Sequence, residues 1–297
     1  MADLSRVTQM LEELRKDVDR VIAEVSGLQE NEGGAGRQEE QEGDANDGDR
    51  EAEVLRQNAE KLPGVFLPKT QDGVLPIVGG EPTKDFPDCC AVGSANGYTC
   101  SGTLIAPNLV ITARHCNNVT RVFLKGWDVE KLEQGEVIEV DKNIRHPQFD
   151  IRVLVLKNNS TVTPRPVARG AAVGNPQEAT LVGFGNIDTD GRIGYGLKRM
   201  VKVPITSISC ATDEEVTEFG CRLGKEIVAG HRGLLKDSCH GDSGGPLYIR
   251  NSLGGYDLLG ATSRGLGGTG NACGDGGIYV RVDQFLDWIQ QETGIKV

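Results

Sequence analysis

One segment of the chain, LLKDSCHGDSGGPL, contains a serine whose neighbours suit a nucleophile. Ser243 lies two residues after Gly241 and just before Gly244, and glycines at these positions allow a tight turn that exposes the hydroxyl group. The backbone N–H groups of Gly241 and Ser243 would then converge on an oxyanion that develops beside the serine. Because a serine hydroxyl is a weak nucleophile on its own, this chemistry requires a base that takes its proton.

Histidine is the side chain most often used as such a base. The chain has four histidines: His115, His146, His231 and His240. His115 follows an apolar strand in LVITARHC, and Cys116 beside it would fix its position. His240 is too close in sequence to Ser243 to act as its oriented partner. Of the other two, the first lies in a loop-like segment, RHPQF, and the second has no supporting context. His115 is therefore the favoured base.

Six motifs in a fixed order make residues 77–297 resemble the trypsin/chymotrypsin family of serine proteases. They are IVGG (77–80), TARHC (112–116), DIRVLVL (150–156), GDSGGP (241–246), TSRG (262–265) and GIYVRV (277–282). The chain order His, Asp, Ser also matches the chymotrypsin arrangement and differs from that of subtilisins and α/β-hydrolases. The resemblance implies two six-stranded antiparallel Greek-key β-barrels with the site between them. It also implies hydrolysis of peptide bonds through an acyl-enzyme, with no cofactor and no metal ion.

The resemblance assigns a role to each member of a catalytic triad. It makes His115 the general base, Asp150 the carboxylate that orients it, and Ser243 the nucleophile, with the N–H groups of Gly241 and Ser243 as the oxyanion hole. Asp150 directly follows HPQF, so the loop that usually separates these two motifs is missing. A simple turn aspartate is the alternative interpretation of Asp150. Two other aspartates are rivals by position, although neither begins an apolar strand: Asp128 and Asp141.

Substrate preference is predicted from Asp237, six residues before the nucleophile. In the family this position lies at the base of the primary specificity pocket, where a buried carboxylate selects Arg or Lys side chains. Ser263, Gly265 and Gly277 match other substrate-binding positions, and the two glycines would leave room for a long side chain. The alternative is that Asp237 lies exposed in a loop. Arg264 replaces the usual Trp, which predicts an added cation and better tolerance of acidic residues upstream of the cleaved bond.

The segment VLPIVGGEP (74–82) bears on regulation. In the family, cleavage after a basic residue frees the amine of the first Ile, which pairs with the aspartate before the nucleophile and orders the oxyanion hole. These residues are Ile77 and Asp242 here, but Pro76 precedes the bond. An enzyme specific for basic residues would not cut there. We therefore expect a latent precursor that another protease processes. The alternatives are an uncleaved active enzyme and a catalytically silent scaffold.

The eight cysteines and the N-terminus point to different compartments. The resemblance implies three disulfides: Cys100–Cys116, Cys210–Cys221 and Cys239–Cys273. Cys89 and Cys90 match no family position and are either buried free thiols or a redox or metal feature. Disulfides favour an oxidising compartment, whereas the sequence MADLSRVTQMLEELRKD lacks the apolar stretch of a signal peptide. The second observation predicts a cytoplasmic protein, and the two remain in conflict.

The first 76 residues differ in composition from the rest of the chain. They hold 9 Lys/Arg and 18 Asp/Glu, a net charge of −9, which leaves about −2 of the total −11 for the remainder. This balance argues against nucleic-acid binding, and no apolar run approaches membrane-spanning length.

Residues 31–76 predict an acidic flexible linker or propeptide. Residues 1–30 predict a heptad helix that associates with a copy of itself or a partner, or else lies on its own domain. Its apolar positions are Leu4, Val7, Leu11, Leu14, Val18, Val21, Val25 and Leu28.

The elements that must position the site follow residue 77. Short alternating apolar segments such as TLIAPNLVITA, IRVLVL and YDLLGATS are separated by Gly, Asn and Pro, which predicts an antiparallel barrel or sandwich. Residues 158–170 are the expected crossing between two halves. One C-terminal helix, DQFLDWIQQETG, is predicted to end at Gly294. The fold class is therefore all-β, with an α-helical or coiled-coil segment before residue 77.

Overall fold

The computed structural model describes residues 79–192, 194–268 and 271–297. The predicted heptad helix (1–30), the predicted linker (31–76) and Ile77 lie outside the described residues. The strands are β1 (Glu81–Pro82), β2 (Cys89–Ser94), β3 (Gly97–Ala106), β4 (Leu109–Thr112), β5 (Arg121–Leu124), β6 (Glu136–Arg145), β7 (Arg152–Leu156), β8 (Glu178–Gly183), β9 (Arg199–Ser207), β10 (Glu226–Ala229), β11 (Pro246–Arg250), β12 (Tyr256–Gly265) and β13 (Gly277–Arg281). The helices are α1 (Asp213–Phe219) and α2 (Leu286–Thr293).

The first barrel is closed by six antiparallel strands in the order β2-β3-β4-β7-β6-β5. Side chains that alternate along these strands point into the barrel and form its core. Fully buried members include Val92, Leu104, Val110, Val122 and Leu154. The apolar segments predicted from the sequence therefore supply this core, while their other apolar residues, such as Ile111 and Val153, lie on the outward face of the strands.

The second barrel uses the strands β8-β9-β10-β13-β12-β11, and pairing of β11 with β8 closes it. The short β1 adds to its outside by pairing with β9. Its core contains Leu181, Val203, Ile227, Leu247 and Tyr279. The prediction of two six-stranded antiparallel barrels is confirmed.

A third apolar cluster lies between the barrels and joins them. It takes residues such as Ile111 and Phe123 from the first barrel and Phe184 and Val280 from the second.

A buried polar network also connects the two halves. The Asp88 carboxylate accepts hydrogen bonds from Arg165 Nε (2.9 Å) and Nη2, and from the Tyr248 hydroxyl (2.6 Å). Asp88 precedes β2, Arg165 lies in the crossover between the barrels, and Tyr248 lies in β11. The network therefore fixes the two barrels relative to each other and sets the geometry of the cleft between them.

The C-terminal helix is shorter than the sequence pattern suggested. A single 3-10 turn occupies Val282–Phe285, and α2 continues to Gly294, whose φ of 71° ends the helix as predicted. The helix α1 was not predicted from the sequence. Thr212 and Glu215 form a capping box at its start, in which the Thr212 side chain accepts from the Glu215 N–H and the Glu215 side chain accepts from the Thr212 N–H. No helix in the described part of the chain has the length and apolar character needed to span a membrane.

Candidate active site

Ser243, His115 and Asp150 form one hydrogen-bonded chain in the cleft. The distance from His115 Nε2 to Ser243 Oγ is 2.8 Å, and the distance from His115 Nδ1 to Asp150 Oδ2 is also 2.8 Å. The backbone N–H of His115 donates to the other carboxylate oxygen of Asp150 at 3.0 Å. The structure thus brings together the three residues that the sequence singled out, from positions up to 128 residues apart.

The strand pairing of the first barrel explains how His115 and Asp150 meet. β4 and β7 are antiparallel neighbours, and Thr112 at the end of β4 lies opposite Arg152 at the start of β7. The chain therefore leaves β4 towards His115 at the same edge of the barrel where it enters β7 from Asp150. The disulfide between Cys100 and Cys116 ties the segment that follows β4 to β3. Asp128 and Asp141, the rival aspartates, are not part of this arrangement.

The turn before Asp150 is held by His146. Its Nδ1 atom accepts hydrogen bonds from the backbone N–H groups of Gln148 (3.1 Å) and Phe149 (3.0 Å). Its ring also packs edge-on against aromatic rings, with centroid distances of 5.3 Å to Phe149 and 4.9 Å to Trp288. These contacts hold the short turn between His146 and Asp150, where the usual loop is missing.

The surroundings of the Asp150 carboxyl group favour its charged form. Burial opposes its ionisation, but hydrogen bonds from His115 and Ser263 outweigh burial and lower its pKa. The Ser263 hydroxyl donates to Asp150 Oδ2 at 2.7 Å. The substrate-binding role predicted for Ser263 stays a prediction, and its side chain contacts the Asp150 carboxylate. Ser263 also lies at a register shift between β12 and β13.

Arg152 supports the same edge of the barrel from inside. Its side chain is fully buried, and its Nη2 atom donates to the backbone carbonyl of Arg114 at 2.6 Å. This bond fixes the residue directly before His115. The role of the Arg114 side chain has no explanation in the structure beyond its positive charge, which together with burial lowers the pKa of His146.

The backbone around the nucleophile forms a tight turn. Gly241 has a φ of 97°, and a Cβ atom there would lie 2.5 Å from the Tyr195 ring, so only glycine fits. Gly245 N–H donates to the Asp242 carbonyl at 2.7 Å and closes the turn. Within the described ranges, the N–H groups of Gly241 and Ser243 donate to no acceptor. Both are therefore available to an oxyanion.

Ser101 on β3 braces this turn, and sequence reasoning missed it. Its hydroxyl donates to the Gly241 carbonyl at 2.9 Å and accepts from the Phe184 N–H at 3.1 Å. Its own N–H donates to the Ser243 carbonyl at 2.9 Å. Ser101 directly follows Cys100, and no signal in the sequence separates it from other strand serines.

Asp242 is buried directly behind the nucleophile. Its two carboxylate oxygens accept hydrogen bonds from the N–H groups of Gly185 and Cys239, both at 2.8 Å. Burial raises the pKa of Asp242 to about 6, and these two N–H groups and the charge of Arg199 oppose the rise. Its predicted partner, Ile77, lies outside the described residues.

The side chain of Asp237 is also buried, with 2% of the residue exposed. Its Oδ1 atom accepts hydrogen bonds from the Ser238 N–H (2.7 Å) and the Tyr279 hydroxyl (3.2 Å). Burial raises its pKa to about 7, against the effect of these donors. A Cβ atom at Gly277 would lie 3.3 Å from Asp237 Oδ1, and Gly277 pairs with Gly265 across β12 and β13. The two glycines and Asp237 therefore border one space, and the alternative of an exposed loop aspartate is wrong.

Arg264 does not supply the free cation expected from the sequence. Its guanidinium donates to both carboxylate oxygens of buried Glu226, at 2.9 Å and 2.7 Å, and to the Gly220 carbonyl at 2.9 Å. A bidentate pair of this kind already compensates its charge. The expected tolerance of acidic residues beside the cleaved bond therefore loses its physical basis.

The three expected disulfides are present: Cys100–Cys116, Cys210–Cys221 and Cys239–Cys273. Cys89 and Cys90 are free and fully buried, in line with the buried-thiol interpretation. The cytoplasmic location stays a prediction.

Comparison with known proteins places the described domain in a well-populated group. The Trypsin family model matches residues 77–289. The chain is 31% identical over 236 residues to a trypsin of Saccharopolyspora erythraea, covering 73% of this chain and 97% of that protein. It is 29% identical over 248 residues to a trypsin of Phaedon cochleariae, covering 74% and 90% of the two chains. It is 30% identical over 215 residues to chymotrypsin-C of Bos taurus, covering 66% and 78%.

Proposed function

Because this chain belongs to the trypsin family and is a serine endopeptidase, we propose that it cleaves peptide bonds after Arg or Lys with Ser243, His115 and Asp150 as its catalytic triad. The observation that carries the assignment of the triad is the continuous hydrogen-bonded chain from Ser243 Oγ through the His115 ring to Asp150. No cofactor or metal ion takes part in the proposed reaction.

The geometry supports a two-step acyl transfer. His115 Nε2 takes the proton of Ser243 Oγ as the oxygen attacks the substrate carbonyl, and returns it to the leaving amine. Asp150 keeps the ring in the tautomer with Nδ1 protonated and stabilises the imidazolium that forms. The N–H groups of Gly241 and Ser243 donate to the oxyanion. Water activated by His115 then releases the acyl group by the same proton transfers in reverse.

The preference for Arg or Lys is supported by the buried carboxylate of Asp237. A carboxylate with this little exposure favours a substrate cation that replaces its lost hydration. Gly265 and Gly277 border the space in front of it and leave room for a long side chain. Ser263, the other predicted substrate-binding residue, lies two residues before Gly265 on β12, and its hydroxyl orients Asp150.

Two experiments test the proposal together. A fluorophosphonate probe should modify Ser243 in the processed protein, and Ser243→Ala should abolish the adduct. Cleavage-site profiling on an unfolded protein mixture should give Arg or Lys before nearly every cut. An adduct without a basic preference would reject the role of Asp237 only. Absence of any adduct would reject the catalytic assignment and favour the silent scaffold.

We also propose that the chain is made as a precursor whose N-terminal segment another protease removes. The freed amine of Ile77 would then pair with Asp242, since an α-amino group has a pKa of about 8 and carries a charge near neutrality. The heptad positions between residues 4 and 28 would recruit that protease, another partner or a second copy of the chain. N-terminal sequencing of the most active species tests the idea. A fully active species that still begins at Met1 or Ala2 would contradict it.

A further inference from the structure

Arg199 lies next to the Asp242 carboxylate without forming a direct ion pair. In the ladder between β8 and β9, Arg199 is the residue opposite Gly183. A Cβ atom on Gly183 would lie 2.0 Å from Asp242 Oδ1, so the carboxylate rests directly on the backbone of Gly183. The arginine and the carboxylate therefore both lie at the same cross-strand pair.

Arg199 is a buried cation with incomplete contacts. Only 7% of the residue is exposed, and its Nη1 atom donates to the carbonyls of Gly194 (3.0 Å) and Leu197 (3.3 Å). Its Nε atom is buried and has no hydrogen-bond partner. In the described part of the chain no carboxylate lies within 4.0 Å of its guanidinium. A buried charge in this situation is costly unless a nearby opposite charge compensates it.

The charge of Asp242 is the compensating one. Burial lowers the pKa of Arg199, and Asp242 is the group that opposes this effect. The neighbouring cation, Lys198, does not serve Asp242 in the same way. Its ammonium group donates to the Phe86 carbonyl at 3.0 Å, and successive residues at the start of a strand point to opposite faces.

We propose that Arg199 is an internal counter-charge for Asp242, a positioning residue that keeps the carboxylate in place when Ile77 has no free amine. With its carboxylate held by the N–H groups of Gly185 and Cys239, Asp242 keeps the turn at Gly241 and Ser243 in the conformation that offers two N–H donors. The unprocessed chain therefore has low but measurable activity, and release of Ile77 raises it only moderately. The inference rests on the proposed function and concerns its regulation.

The test compares the effect of one substitution in two forms of the full chain. The first form keeps its natural sequence, with intact mass confirming that it is unprocessed. The second carries Gly73→Asp, Val74→Asp, Leu75→Asp and Pro76→Lys, which together with Asp72 create an enteropeptidase site whose cleavage frees Ile77. The readout is the rate at which a small uncharged fluorophosphonate modifies Ser243, because that rate does not depend on the specificity pocket.

Arg199→Gln should slow labelling of the unprocessed form by about tenfold or more, and that of the Ile77 form by less than about twofold, since the amine then supplies the charge. Arg199→Lys should restore most of the rate in the unprocessed form. Lys202→Gln is the matched control, because Lys202 lies on the same strand but is exposed and pairs with Glu178 at the surface. It should leave both rates unchanged.

An equal loss in both forms would show that Arg199 only stabilises the fold, and no loss in either form would show that Asp242 does not need it. Either result overturns the inference. If Arg199→Gln does not fold, the inference is tested by comparing the labelling rates of the unprocessed form and the Ile77 form, both with Arg199 in place. The inference requires their labelling rates to differ by less than about a hundredfold, well below the 10⁴-fold bias that a complete two-state switch needs, and any larger difference overturns it. Failure of both unsubstituted forms to react would reject the proposed function instead.

Discussion

Replacing Asp237 by Asn should convert a charge-selective pocket into a neutral one of the same shape. The residue is 2% exposed, so the substrate cation and the carboxylate would meet with little water between them. Removing one partner of a buried ion pair costs about 3–5 kcal/mol, because the other charge remains buried and unpaired. At about 1.4 kcal/mol per factor of ten, kcat/KM for an Arg substrate should fall by about 10²- to 4 × 10³-fold.

The assay uses two peptides that differ only in the residue before the cleaved bond, Arg in one and citrulline in the other. Citrulline has nearly the shape of arginine but no charge. The unsubstituted enzyme should strongly prefer the Arg peptide, whereas Asp237→Asn should cleave both at similar rates. Asp128→Asn is the control, since Asp128 is also buried but pairs with Lys131 in the first barrel. That control should keep the preference.

The same carboxyl group predicts a pH effect on binding. Burial raises the pKa of Asp237 to about 7, so the empty pocket takes up a proton as the pH falls below that value. A cationic substrate binds the carboxylate form, and its KM should therefore rise towards tenfold per pH unit below about 7. The KM of the citrulline peptide should not follow. Parallel changes for both peptides, or an unchanged Arg preference in Asp237→Asn, would refute the assignment of this pocket.

Three other substitutions test the framework of the site. Gly183→Ala would place a Cβ atom 2.0 Å from an Asp242 oxygen, so fluorophosphonate labelling should fall about tenfold or more while unfolding stays cooperative. Asp88→Asn leaves the Arg165 guanidinium buried without a counter-charge, and the free energy of unfolding measured in urea should fall by about 3 kcal/mol. Burial and a nearby arginine lower the pKa of His146, whose neutral ring accepts two backbone hydrogen bonds. The contribution of this residue to stability is therefore complete above about pH 6.5, the usual pKa of histidine. It is lost as the pH falls towards the lower pKa of the folded state. The difference in unfolding free energy between the natural protein and His146→Phe should shrink over that range.

Each of these tests has a result that counts against it. Gly267→Ala should be harmless, because a Cβ atom added there would meet no other atom within 4 Å. An equal effect of the two glycine substitutions would remove the steric argument. A loss of less than about 1 kcal/mol in Asp88→Asn would mean that solvent reaches the pair. A pH-independent difference for His146→Phe would mean that its ring matters only for packing.

Much of this site could be predicted because its chemistry is local in sequence. The glycines around Ser243 and the apolar strands before His115 and after Asp150 are visible as short motifs, and alternating segments indicate barrel strands. The contributions of Ser101 and His146 could not be predicted, since each depends on which backbone groups the fold brings within hydrogen-bond distance. The helix α1 was missed because it is short and mostly polar, and its apolar side consists only of Val216 and Phe219, which pack against the cluster around Cys210 and Cys221.

The prediction for Arg264 did not include its ion-pair partner, for a related reason. A sequence shows which charge a side chain carries but not whether a buried partner such as Glu226 already neutralises it. The position of Arg199 beside Asp242 escaped notice for the converse reason, because only the pairing of β8 with β9 brings the two together.

The rates at which the adjacent free thiols of Cys89 and Cys90 react with thiol reagents would report on two different openings of the molecule. Neighbouring residues on a strand face opposite ways, so Cys89 points into the cluster between the barrels and Cys90 into the interior of the first barrel. The Cys89 thiol donates to the Val182 carbonyl of the second barrel at 3.6 Å, and reagents would reach it when the barrels separate. They would reach Cys90 only when the first barrel itself comes apart. Because the other six cysteines are paired, the order in which these two thiols react would show whether the cleft opens before its walls unfold.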